Sequence, residues 1–468
     1  MQSEKIWRIN RVFRFRKKTL TTTQIIAYGF FSAIIVGALL LMLPLSSKSG
    51  EWTNFIDALF TATTSVCVTG LTTVSTLEHW SLFGHFIIVV LIQFGGLGVV
   101  TFATAMLLIL GKRITLKERM LLQDAYNLDT LQGLVKLTKK IMKGTFIVEG
   151  IGAILYCFQL IPEFGPVDGL QKSIFLSISA FSNAGMDLIG NNSLKPYCGN
   201  ILINVVTMAL IILGGLGFPV WWDCIRMARY RKGHKISFRE RIRKFELHSK
   251  IVFAVTGILI FGGFLLILLI EWNNPDTLGS MPWWKKGLAA MFQSVTLRTA
   301  GFFTIPQDAF QDASSLLFLI LMFIGGSPSG TAGGVKTVTI AMLCLAAWSV
   351  VKGREDTEIF NRKIKSWYIK KGLAVVLISL FAVMISTTLL LIIEEKPFLD
   401  ILFEATSAIG TVGLTRNITG SLSVGGKLVI ICAMYIGRIG PITMALFFNT
   451  KKAKTGGRSF PEERIIVG

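Results

Sequence analysis

Four tripeptides ending in glycine carry the chemistry of this 468-residue chain: Val68-Thr69-Gly70, Asn183-Ala184-Gly185, Thr299-Ala300-Gly301 and Thr411-Val412-Gly413. None of the twelve side chains is charged. A ring of carboxylates is the usual device of a divalent or non-selective cation pore. Small uncharged residues around Gly leave backbone carbonyls as ligands, which can replace the hydration shell of a cation. Glycine suits such a loop because turning successive carbonyls towards an axis demands φ values that a Cβ penalises. One such tripeptide would be an ordinary helix-ending glycine. Four of them, with glycines 115, 116 and 112 residues apart, point to an internal fourfold repeat.

A second set of glycines follows each loop. The motifs are FGGLG (94–98), LGGLG (213–217), IGGSPSGTAGG (324–334) and IGRIG (436–440). Arg438 stands where the other repeats have Gly96, Gly215 and Gly326. A buried Arg at mid-membrane is expensive and marks function. It lies either near the axis below the filter or tucked between helices against carbonyls. The run Gly325, Gly326, Ser327, Pro328, Ser329, Gly330, Thr331, Ala332, Gly333 and Gly334 cannot hold a regular helix. It reads as a movable obstruction with conformations close in energy, or as a static kink. Lys336 follows it, as an anchor or a second barrier charge.

These residues must be held by apolar elements. The chain is 52% hydrophobic with a mean hydropathy of +0.61. Spans are expected near 22–45, 82–110, 142–162, 199–222, 249–270, 314–350, 371–393 and 425–448. Between the members of each pair lies a helix too short to span: 53–65, 168–181, 283–295 and 397–407. Irregular backbone after such a helix is tolerated at membrane depth only when buried or lining a water-filled path. Each unit crosses twice, so the repeats run parallel, unlike those of inverted-repeat transporters. The short helices then aim their partly negative C-terminal ends at one point, which favours a cation. The expected fold is an all-α integral membrane protein of four parallel helix–pore loop–helix (M1–P–M2) repeats, pseudo-fourfold around a central pore. Its divisions are an arm (1–21), repeat 1 (22–110), linker and repeat 2 (111–228), linker and repeat 3 with the broken helix (229–350), linker and repeat 4 (351–448), and a tail (449–468).

The net charge of +21 raises the question of nucleic acid, but its placement answers otherwise. Segments 1–20, 111–143, 224–250, 351–371 and 450–468 hold 37 of the 48 Lys and Arg residues. They are alternate connections, so the pattern is positive-inside, with both termini cytoplasmic and no nucleic-acid partner. A basic inner face also suits an acidic partner domain or anionic membrane lipid. The first apolar run lacks a cleavage site and is long enough to span. The six cysteines show no pairing pattern and the four histidines no metal spacing. No nucleophile with a base is evident in the spans, so an enzyme is not expected. An organic-solute transporter would need inverted repeats and charged midplane residues. Arg298, beside the third loop, is expected to point away from the path and pair with Glu404, Asp400 or Asp187.

The four filter motifs, GGSPSGTAGG and IGRIGP together resemble the Trk/Ktr/HKT superfamily of potassium transporters, most closely the bacterial Ktr membrane subunits (KtrB type). The resemblance runs from about residue 20 to the end. It implies potassium uptake at the bacterial plasma membrane, with K⁺ as transported ion at the filter residues and no cofactor in this chain. It implies a homodimer under a cytoplasmic ring of RCK-type subunits, KtrA/KtrC-like, that bind ATP or ADP and control the gate. Na⁺ dependence, H⁺ or Na⁺ coupling, and a less selective K⁺/Na⁺ transporter stay open. Plant relatives with Ser at the first filter position tend to carry Na⁺; here it is Gly70. The terminal SFPEERIIVG resembles the tail that packs at the family's dimer interface. No P-loop is present, so nucleotide control has to come from the partner.

Overall fold

Capping residues decide where the helices begin. The structure, a computed structural model, describes residues 21–109, 114–115, 118–121, 123, 134–190, 192–233, 240, 243–360, 362–440 and 443–444. Helix α1 (Thr22–Met42) opens with a capping box, in which Thr21 Oγ1 accepts from Gln24 N at 3.3 Å and Gln24 Oε1 from Thr21 N at 3.0 Å. The short helix α2 (Phe55–Cys67) starts at an Asn54 cap. Its counterparts α6 (Pro166–Ser182), α10 (Trp283–Thr296) and α14 (Phe398–Gly410) start at or beside a proline. Proline suits that position because its fixed φ matches the helix and the first N–H needs no partner.

The remaining long elements complete four units. Repeat 1 closes with α3 (Leu82–Leu97) and α4 (Val99–Ile109). Repeat 2 has α5 (Leu134–Phe164) before its short helix, then α7 (Ile201–Gly215) and α8 (Phe218–Gly233). Repeat 3 has α9 (Leu247–Glu271), then α11 (Asp312–Phe323) and α12 (Thr337–Val351). Repeat 4 has α13 (Ser366–Ile393) and α15 (Val424–Ile439). A two-stranded ribbon, Glu358–Ile359 with Arg362–Lys363, joins repeats 3 and 4. Among the described residues four straight helices are long and apolar enough to cross a membrane, and they are α1, α5, α9 and α13, one opening each repeat. Their outward faces carry large apolar side chains such as Phe31, Phe158, Phe261 and Phe381. The short helices occupy the protected centre.

The second helices depart from the expected continuous spans. Spans 82–110 and 199–222 each break into two helices, bent by 109° between α3 and α4 and by 99° between α7 and α8. The cause is the last glycine of each motif. Gly98 has φ +81° and Gly217 φ +87°, left-handed values that end a helix. Gly440, at the same place in repeat 4, has φ +92°. Span 314–350 is interrupted from Ile324 to Lys336, as its composition requires. The arm 1–20, most of 110–133, most of 234–242 and everything from 445 onward lie outside the described residues. The SFPEERIIVG segment and the end of span 425–448 lie there too.

Candidate functional site

Three of the four short helices end in the same left-handed turn. Val68, Asn183 and Thr411 follow α2, α6 and α14 with φ of 55°, 60° and 49°. The N–H of the next residue reaches back five positions, from Thr69 to Thr64 O (2.9 Å), Ala184 to Ser179 O (2.8 Å) and Val412 to Ser407 O (2.8 Å). This double-bonded cap ordinarily uses glycine at the left-handed residue. Here branched or polar residues stand there, each a strained position of order 1–3 kcal/mol that surrounding contacts must enforce. The third loop is looser: Ala300 N bonds Thr296 O four positions back at 3.0 Å, and Thr299 takes φ 66°.

The glycines expected from the sequence have positive φ throughout: 103° at Gly70, 69° at Gly185, 85° at Gly301 and 92° at Gly413. Their neighbours close a ring. A Cβ built on Gly70 would lie 2.7 Å from Ala184 O, on Gly185 2.6 Å from Ala300 O, on Gly301 2.8 Å from Val412 O, and on Gly413 2.1 Å from Thr69 O. Each glycine thus faces the carbonyl oxygen of the middle filter residue in the next repeat. Rotation about one axis produces such a cycle. All four glycines line a cavity of ≈ 310 Å³. The buried polar side-chain atoms Thr69 Oγ1, Asn183 Oδ1, Asn183 Nδ2 and Thr411 Oγ1 have no hydrogen-bond partner in the protein. Buried groups of this kind ordinarily find a partner.

Hydroxyls that the sequence reading passed over hold these loops. Thr64 Oγ1 accepts from Gly70 N (2.9 Å), Ser179 Oγ from Met186 N (3.1 Å) and Ser407 Oγ from Gly413 N (3.1 Å). In the third repeat Thr296 Oγ1 donates to Phe302 O at 2.6 Å. The available signal was a Ser or Thr five or six residues before each glycine. The second helices dock equally regularly. A Cβ on Gly95, Gly214 or Gly437 would strike Val66 O, Phe181 O or Ile409 O at 2.0, 1.9 and 2.2 Å.

The third repeat breaks that pattern. Its interrupted helix leaves at Phe323 and returns at Val335, joined by Gly325 N to Val335 O (3.0 Å) and Val335 N to Phe323 O (3.1 Å). Between these points the chain is bonded on several sides. Ser327 N meets Gly215 O (2.9 Å), Thr331 N meets Gly214 O (3.1 Å), and Thr331 Oγ1 donates to Phe181 O (3.0 Å). Gly333 N donates to Thr299 Oγ1 at 3.2 Å, directly at the base of the filter loops. Bare glycine backbone lets this loop approach other glycine backbone, so any movement must exchange those hydrogen bonds.

Both cations singled out in the sequence reach this loop. Arg438 Nη1 donates to Thr331 O (2.7 Å) and Nη2 to Gly95 O (2.5 Å). Lys336 Nζ donates to Ala332 O (2.7 Å) and Gly333 O (3.3 Å). Arg438, Lys336 and the loop line a second cavity of ≈ 320 Å³, on the opposite side of the filter loops from the first. Arg298 corrects another expectation. It pairs with none of the three carboxylates; its Nη2 lies 3.5 Å from Thr256 Oγ1 on α9. Asp400 instead pairs with Arg416 (2.6 Å), Glu404 accepts from Thr415 and Thr419, and Asp187 Oδ1 accepts from Ile189 N. Asp400 and Glu404 sit in the first and middle turns of α14, while Arg298 follows the last turn of α10, so depth separates them.

Residues 10–455 match the TrkH family, described as cation transport protein. The chain is 40% identical to the potassium/sodium uptake protein NtpJ of Enterococcus hirae, covering 97% of this chain and 98% of that protein. It is also 40% identical to the Ktr system potassium uptake protein B of Bacillus subtilis, over 96% and 97% of the two chains. The crystal structure of the potassium transporter TrkH from Vibrio parahaemolyticus superposes with a TM-score of 0.71 at 17% identity, over 93% of this chain and 86% of that one, a likeness of fold. An all-α membrane protein built on four glycine loops, this chain belongs to the TrkH family of cation transport proteins.

Proposed function

We propose that this chain carries K⁺ into the cell through the ring of four glycine loops, as the membrane subunit of a Ktr-type uptake system. The observation that carries the reading is the cyclic contact of each filter glycine with the next repeat's carbonyl. Carbonyls gathered on one axis replace the water around a dehydrated monovalent cation, and the C-terminal ends of four short helices add a negative field there. The names of the relatives support potassium as cargo. A less selective K⁺/Na⁺ transporter is the second reading, favoured by the potassium/sodium name of the Enterococcus relative.

The loop 325–334, with Arg438 and Lys336, obstructs the path on the far side of the filter from the glycine-lined cavity. Opening removes Gly333 from Thr299 and releases Thr331 from Arg438. The Lys/Arg-rich connections support reading that side as the cytoplasmic face of a bacterial plasma membrane. A nucleotide-binding RCK-type ring docked on this basic face pulls the loop through α12, and two copies of the chain form the membrane unit.

The test is Rb⁺ flux into liposomes holding the purified chain, with K⁺ and Na⁺ as competitors. K⁺ is expected to compete far better than Na⁺. Equal competition supports the less selective reading, and no cation flux with or without an RCK-type partner overturns both.

A further inference from the structure

Two residues beyond each filter glycine stand Thr72, Asp187, Phe303 and Thr415, and all four line the cavity that holds the glycines. They form a second ring with two hydroxyls, one aromatic ring and one carboxylate. Among the residues lining that cavity, Asp187 is the only ionisable one. Other carboxylates near the mouth are engaged: Asp57 with Lys427 (2.8 Å), Asp400 with Arg416 (2.6 Å), and Glu404 fully buried under Thr415 and Thr419. Asp187 is more than nine-tenths buried; its Oδ1 accepts from Ile189 N at 3.0 Å, and among the described residues it forms no ion pair. Burial pushes its carboxyl above the usual range, while hydrogen bonds and the field of Lys172, whose ammonium sits over the Phe164 ring at 3.4 Å, pull it back.

Two hydroxyls of the cavity wall donate to carboxylates behind it. Thr73 donates to Asp57 Oδ1 at 2.8 Å and Thr415 to Glu404 Oε2 at 2.7 Å. Thr415 Oγ1 also accepts from Thr419 Oγ1 at 2.9 Å, and a hydroxyl oxygen has two lone pairs, so one stays available for an ion. Two carboxylates behind the wall therefore act on the cavity through the threonines in front of them.

We infer that Asp187, with the hydroxyl oxygens of Thr72 and Thr415 at the same level, forms a capture site for a partly hydrated monovalent cation just outside the filter. This rests on the filter reading above. A single carboxylate with two hydroxyls falls short of the six to eight oxygens that hold Ca²⁺. It holds an ion firmly enough to concentrate it and loosely enough to pass it on.

Rb⁺ flux in proteoliposomes of the full chain tests the site through half-saturation rather than selectivity. Asp187→Asn is expected to raise the half-saturating cation concentration about tenfold, the scale on which one charge in a cleft enriches counter-ions. Maximal flux and the K⁺/Na⁺ ratio at saturation stay as in the unaltered chain, and Asp187→Glu restores most of the loss. Added choline chloride narrows the difference, because salt screens the charge. A half-saturation unchanged in a folded Asp187→Asn protein overturns the capture site and leaves the filter reading intact; loss of selectivity in the unaltered chain speaks against the filter instead. If Asp187→Asn does not fold, Thr72→Asp takes its place. That substitution adds a second carboxylate to the ring and is expected to lower half-saturation, and no change overturns the site.

Discussion

At the scale of single residues, the proposed filter rests on missing atoms. Gly70 has φ +103°, and a Cβ there would sit 2.7 Å from Ala184 O, backbone that cannot swing aside. Gly70→Ser therefore pushes on the carbonyl of the adjoining repeat as well as straining its own, at a local cost of about 1–2 kcal/mol for the left-handed backbone alone. The expected result is a folded protein whose K⁺ preference over Na⁺ falls several-fold in competition flux; undiminished discrimination counts against these loops as the filter. Arg438 is the converse case, an atom group added where three repeats have glycine. It ties repeat 1 to the repeat 3 loop through two carbonyls. Arg438→Ala removes that tie and a positive charge, and each ~1.4 kcal/mol taken from a barrier is about tenfold in rate. Partner-free flux is expected to rise, and Arg438→Lys to rise less. A folded Arg438→Ala protein with unchanged flux would show that this charge does not obstruct the path.

At the scale of elements, one glycine motif is used in two ways. In α3, α7 and α15 a glycine docks on the carbonyl of the short helix, and a later glycine with positive φ ends the straight segment. In repeat 3 the corresponding stretch holds Pro328, and the chain loops under the filter before α12 begins. The loop is buried and bonded, and in the proposed gate this arrangement is the closed state. Its bonds go to backbone and hydroxyl groups that water can also satisfy, so breaking several costs only a few kcal/mol in sum. A shift of ~3 kcal/mol changes an open population by about two orders of magnitude. Deleting residues 328–331 removes Pro328 and the Thr331 contacts with Phe181, Gly214 and Arg438. Flux is then expected to be high and independent of partner and nucleotide. A folded deletion protein that still needs its partner, with no faster flux, would move the gate elsewhere.

At the scale of the whole molecule, four repeats enclose one axis but differ in what they present to it. Among the described residues, repeat 2 supplies the only carboxylate lining the glycine cavity, repeat 3 the loop, and repeat 4 the arginine. The ion pair of Asp57 with Lys427 and the bond of Arg416 to Ser315 tie neighbouring repeats, so displacement in one is felt in the next. Most of the chain's positive charge lies in alternate connections and the two ends of the sequence. The proposed basic face would attract an acidic docking surface and weaken its hold as salt rises. Reconstituting the chain with a Ktr-type RCK ring should give flux that rises with ATP, falls with added salt during assembly, and comes from a particle containing two copies of the chain by light scattering. A single copy per particle with full ATP-dependent flux would contradict the dimer.

The sequence by itself determined the repeat, the short helices, the four loop glycines with their positive φ, and the interrupted helix. Each of these depends on composition and spacing within about 100 residues, and glycine and proline act locally wherever they stand. The boundaries show it: segment 53–65 is Phe55–Cys67 and segment 397–407 is Phe398–Gly410. Only the tertiary structure decided what touches across repeats. The cycle from Gly70 through Gly185 and Gly301 to Gly413 joins residues more than 100 positions apart, and no local preference encodes it. The bends at Gly98 and Gly217 escaped because the apolar pattern runs on unbroken while the backbone turns. Arg298 was assigned carboxylate partners from charge alone, and depth along parallel helices keeps them apart. The bonds that tie the loop 325–334 to other repeats come from Gly214, Gly215 and Phe218 of repeat 2 and from Arg438 of repeat 4, itself held by Gly95 O of repeat 1, so its placement belongs to the assembled ring rather than to the segment that forms it.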